Sequence, residues 1–118
     1  MSTSRLSVAG DPALALVVRI FVGSVTEQWG LSEPVREDLR LAASELFSGA
    51  VEAGNRDLVR FELSTDEGEM ELRAEDVAVE HESADLEGWA GRFALIRALF
   101  PDAHVSDTTV RIRIPLTN

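Results

Sequence analysis

Leu41-Ala42-Ala43-Ser44-Glu45-Leu46-Phe47-Ser48-Gly49-Ala50-Val51 decides how this 118-residue chain is read. Ala42, Ala43, Leu46, Ala50 and Val51 fall three and four apart, the period of a helix with one apolar face. Val35 and Leu39 carry the stripe back toward Ser32, a capping residue type, with Glu33 and Pro34 in the first turn. Gly54-Asn55 closes it, giving about five turns of consistent period. The other side, with Arg36, Glu37, Arg40 and Ser44, is expected to be a solvated surface.

Upstream, Arg5 to Ala9 alternates with Leu6 and Val8 on one side and reads as a first strand. Asp11-Pro12 starts a helix, the aspartate as cap and the proline in the first turn. Leu14, Val17, Val18, Phe21 and Val25 form its apolar face, and Trp29-Gly30 ends it. Downstream, Leu58 to Ser64 and Glu69 to Ala74 alternate around Thr65-Asp66-Glu67-Gly68, a hairpin pattern. Glu75 to Glu87 is acidic and reads as a strand end leading into a solvated loop. Trp89 to Phe100 returns to helical spacing, with Phe93, Ile96, Ala98, Leu99 and Phe100 apolar, and Pro101 stops it. Ala103 to Val105 is a short strand. Thr109 to Leu116 is the last, with Val110, Ile112, Ile114 and Leu116 on one face. The order predicts an α+β fold: a two-layer α/β sandwich with a mixed, mostly antiparallel sheet and helices on one face, in a single domain over 1–118.

Cysteine is absent, which excludes disulfides and thiolate metal sites, and His81 and His104 are too few for a histidine-rich one. Both histidines are expected at the surface, and Trp29 and Trp89 at the core or its rim, with Trp89 also a candidate partner anchor. No signal-like start and no apolar run of spanning length is present, so a soluble, cytoplasmic protein without membrane contact is expected. Acidic residues number 21 against 11 basic ones, for a net charge of −10. Such a surface repels a phosphate backbone and argues against nucleic acid as a partner. It suits solubility, or the docking of a basic partner.

Three segments together resemble the GHKL (Bergerat-fold) ATPases, the histidine-kinase-like ATPase domains, and among them the anti-sigma-factor serine kinases. Leu41 to Val51 resembles the N-box helix, in which a glutamate is followed four residues later by asparagine and then Ala-Val. Gly91-Arg92-Phe93-Ala94-Leu95-Ile96-Arg97-Ala98-Leu99 resembles the second glycine motif and the helix after it. Thr108 to Leu116 looks like the terminal strand. The resemblance implies that Glu45 is the general base and that the position of the metal-binding asparagine is Gly49, which offers Mg²⁺ no oxygen. Asp76 matches the aspartate that reads adenine, yet the glycines expected two and four residues later are Ala78 and Glu80. Gly91 survives from the phosphate-cradling motif, with Phe93 obstructing close approach and Arg92 a substitute phosphate partner.

Damage at three parts of one site favours loss of ATP binding. The resemblance then implies a regulator of bacterial partner switching, a pseudokinase that binds a sigma factor or a STAS-type antagonist, with no metal and no cofactor. It also implies pairing as homodimers. Two alternatives stand beside this reading: an active serine/threonine kinase using ATP and Mg²⁺ in a divergent pocket, and an unrelated α/β interaction module.

Overall fold

In the computed structural model, residues 1–54, 57–77 and 86–116 are described, 86–90 for their backbone only. The strands are β1 (Ser2–Ala9), β2 (Leu58–Asp66), β3 (Glu69–Glu75), β4 (His104–Ser106) and β5 (Thr109–Pro115); the helices are α1 (Ala15–Gln28), α2 (Glu33–Glu52) and α3 (Leu86–Leu99). The five strands form one sheet in the order β1-β2-β3-β5-β4, each neighbouring pair antiparallel. The expected element order and the α+β architecture are those observed. Among the described residues no helix is long and apolar enough to cross a membrane.

Alternation sorts each strand into a covered and an open face. Val8, Val59, Phe61, Leu63, Met70, Leu72, Ala74, Val110 and Ile112 are buried on the helix side. Against them α2 lays Leu39, Ala42, Ala43, Leu46, Phe47, Ala50 and Val51, all buried. The larger of these residues fill the layer between helix and sheet. The turn of the β2–β3 hairpin has positive φ at both Glu67 and Gly68, the backbone twist that a two-residue connection between antiparallel strands requires.

Asp11 caps as expected, its Oδ1 accepting from the Ala13 N–H at 2.9 Å, but it caps a 3₁₀ turn (Pro12–Leu14) that leads into α1. Gly30, at φ +77, ends α1 as a Schellman motif, with the Leu31 N–H donating to the Thr26 carbonyl at 3.1 Å. Ser32 stands at the start of α2 in extended conformation, but its side chain makes no capping bond.

Two expectations about faces are corrected. The fully buried residues of α1 are Val18, Val22, Gly23 and Thr26, so the face is centred one position round from the expected stripe, of which Leu14, Phe21 and Val25 pack half-buried against the core. Val17 belongs instead, with Leu16 and Ile20, to an exposed apolar patch. Thr26 joins the core because its hydroxyl donates to the Val22 carbonyl at 2.7 Å, so no polar group is left unpaired.

Nor is the Arg36/Arg40 side of α2 a solvated surface. The two arginine side chains are only 15% and 21% exposed. Arg36 pairs with Glu27 of α1 at 3.0 Å and with Glu33, and Arg40 with Glu33 at 2.9 Å and Glu37 at 2.5 Å. The hydrogen bond that Arg40 donates to Glu37, helped by Glu33, raises its already high pKa further against the cost of burial. Gly23 makes room for this: a Cβ there would stand 2.8 Å from Arg40 Nη1.

Truncating the centre of the α2 face should therefore be costly. Leu46→Ala is expected to lower unfolding free energy by about 3 kcal/mol and Tm by roughly 10 °C, measured by urea and thermal denaturation.

Candidate functional site

The flank of α2 that turns toward α3 carries Glu45, Gly49 and Glu52. At spacings of four and three residues, these share one side of the helix. Arg92, in the second turn of α3, reaches across to both carboxylates: one guanidinium nitrogen donates to Glu45 and the other to Glu52. Arg92 and Glu45 are about a fifth and a quarter exposed, whereas Glu52 is mostly solvated. The planar fork of arginine suits this task, since its two nitrogens can serve two acceptors at once. Between the two glutamates on that side of α2 is Gly49, half-buried, with no side chain of its own.

Elsewhere α3 is held to the body by buried Ile96 and by half-buried Phe93, Leu99 and Phe100; Ala98, expected on the apolar face, is exposed. Arg97 lies over the Phe93 ring at 4.9 Å from its centroid, a cation–π contact that covers the ring edge of the helix.

Sequence-expected site residues divide into two groups. Glu45 and Arg92 are in contact, with Glu52 as an unanticipated third member. Asp76 is elsewhere: it follows β3 at φ +65, and its carboxylate accepts from Arg60 at 2.8 Å. Arg60 belongs to the open face of the sheet, the side away from the helices, because its neighbours Val59 and Phe61 are buried. Gly91 is not at a helix start. Because α3 begins at Leu86, its N–H falls inside the helical ladder, past the four N–H groups that a helix leaves free. A Cβ at Gly91 would meet nothing within 4 Å. Phe93 is half-buried beside this site, and Trp29 packs at the rim of the core. Ala78, Glu80, His81, the rest of the acidic stretch and the Trp89 side chain lie outside the described residues.

These residues do not suit a magnesium ion. A hard cation takes several oxygen ligands, whereas Gly49 offers none and Glu45 and Glu52 already accept from Arg92. Among the described residues no group of three or more His, Asp or Glu side chains could hold a metal. Glu52 was legible in principle, being seven residues from Glu45 and so on the same side of the helix, but spacing alone does not show which cation comes across to meet the pair.

The element order, the N-box-like α2 and the position of α3 define a domain of the GHKL class. The model of the histidine kinase-like ATPase domain family matches residues 8–114, and the chain belongs to that family. The alternative of an unrelated α/β module falls with this match. No curated protein matches the chain.

If Arg92 ties α3 to α2, Arg92→Ala should lower stability by about 1–2 kcal/mol in denaturant unfolding at low salt. The deficit should shrink in 1 M salt, where the Debye length falls to about 3 Å. Arg92→Lys, with a point charge in place of the fork, should recover less than half of it.

Proposed function

We propose that this domain is a regulator of the partner-switching kind, which binds a sigma factor or its STAS-type antagonist by contact alone and transfers no phosphate. The observation that carries this reading is the Arg92 guanidinium spanning Glu45 and Glu52. A general base needs an oxygen available to the proton it removes. Glu45 instead neutralises an arginine of its own chain. A polyphosphate brought to this flank would have to draw Arg92 away and would then face two uncompensated carboxylates. With Gly49 in place of a metal-binding side chain, no Mg²⁺ is at hand to screen them. On this reading the protein is a pseudokinase that needs neither ATP nor metal and works in the cytoplasm.

Support for a protein partner comes from α1. Leu16, Val17 and Ile20 are 63%, 40% and 58% exposed and surround Arg19. Apolar residues clustered on one exposed helix face suit a protein contact better than water. The same patch suits the pairing of two copies that family likeness implies.

Two measurements test the proposal. Thermal melts with and without saturating ATP and Mg²⁺ should coincide, whereas a bound ligand at 100 times its Kd would add about 2.7 kcal/mol and several degrees. Binding to sigma factors and STAS-domain proteins of the host, measured by calorimetry, should survive Glu45→Gln and weaken about tenfold or more in Ile20→Glu. Magnesium-dependent phosphorylation of a partner serine, lost in Glu45→Gln, would instead establish the active kinase.

A further inference from the structure

One row of residues crosses the whole open face of the sheet. Arg5 of β1 is opposite Glu62 of β2, Glu62 opposite Arg73 of β3, Arg73 opposite Arg111 of β5, and Arg111 opposite His104 of β4. Directly opposed residues in an antiparallel sheet project to the same side. In a chain of net charge −10, this row sets three arginines and a histidine against one carboxylate.

The imbalance is concentrated at one place. Arg5 pairs with Glu62 at 2.8 Å, Arg113 with Glu71 at 3.1 Å, and Arg60 with Asp76 at 2.8 Å. Arg73 has only longer contacts, 3.6 Å to Glu62 and 3.4 Å to Glu75. Arg111 has no ion pair among the described residues, although it stands directly opposite Arg73. Among the described residues the Nε atoms of both arginines, like that of Arg36, are buried without a hydrogen-bond partner. Opposed like charges destabilise a sheet, and a buried N–H without an acceptor keeps its desolvation cost. Stability alone does not account for this arrangement, which lacks one acceptor group between two strands. A carboxylate supplies that chemistry, with two oxygens able to accept from guanidinium forks.

We infer that the Arg73–Arg111–His104 end of this row is a docking surface for an acidic segment of a protein partner, with a carboxylate seated between the two guanidinium groups. An open sheet face does not enclose a small anion, which needs a concavity. A nucleic acid carries charge along its whole length and would meet the acidic remainder of the surface. A short acidic segment centred on Arg111 and His104 avoids most of that remainder, because charges more than about 8–10 Å away are screened at physiological salt, and the nearby Glu62 and Glu75 face Arg73. The surface is independent of the Glu45–Arg92 site, which lies on the helix side of the sheet.

The test uses the full chain labelled with ¹⁵N, titrated separately with a capped oligoglutamate peptide, inorganic phosphate and a single-stranded oligonucleotide. The arginine Nε–Hε resonances are followed. Saturable shifts of Arg73 and Arg111 with the peptide, weakened about tenfold in Arg111→Gln or Arg73→Gln, are expected. Removing the like-charge opposition should also raise Tm of Arg111→Gln by about 2 °C. Unmoved resonances, shifts that persist in both variants, equal saturation by phosphate or the oligonucleotide, or a fall in Tm on removing Arg111 would each overturn the inference.

Discussion

The structure rests on α2 lying flat on the sheet. Seven buried residues of that one helix, from Leu39 to Val51, meet the inward side chains of β1, β2, β3 and β5. Once that face is committed to the core, the period of the helix fixes everything else along it. One flank must carry Arg36 and Arg40 toward α1, where Arg36 meets Glu27, while Glu33 and Glu37 of α2 itself hold both arginines in place. Another must carry Glu45, Gly49 and Glu52 toward α3. The candidate site is therefore a consequence of core packing: no loop places Glu45, and its direction cannot change without unseating Leu46 beside it.

Both flanks are closed by the same device. An arginine with a mostly covered stem brings its guanidinium to two carboxylates, at least one of them well solvated. Partial exposure keeps the desolvation cost low, while the fork geometry gives each charge a directed hydrogen bond. On the α1 side this requires Gly23, where a Cβ would crowd Arg40. On the α3 side, Gly49 lies between the two bridged glutamates. A glycine within a helix costs about 0.5–1 kcal/mol relative to alanine.

How much of this was legible follows from what periodicity measures. The buried face of α2 was readable from Val35 to Val51 because apolar residues recur there without interruption; Phe47 alone was missed. The face of α1 was misread by one position because its core side includes Gly23 and Thr26, which a count of apolar residues passes over. Arg36 and Arg40 looked solvated because charge on a helix face gives no sign of carboxylates on the next helix. Glu45 and Arg92 were each recognised, but as parts of a nucleotide site. Their contact depends on how α3 crosses α2, and nothing in either segment encodes that crossing. The displacement of Gly91 from the helix start has a similar origin: α3 begins at Leu86, earlier than apolar spacing indicated.

The two faces of the sheet show the same separation between what a fold needs and what it does not. On the covered face every opposed pair is apolar or small, and no exception needs explaining. On the open face four opposed pairs match arginine to glutamate, Arg5–Glu62, Glu62–Arg73, Arg60–Glu75 and Glu71–Arg113, as a stable sheet surface prefers. Two like-charged pairs depart from that rule, Asp66–Glu69 beside the hairpin turn and Arg73–Arg111 in the middle of the sheet. Local departures of this kind are where a sequence answers to something other than its own stability. The Glu45–Arg92–Glu52 bridge is the reverse case. There a carboxylate read in the sequence as a candidate base is an ion-pair partner of Arg92 and joins two helices.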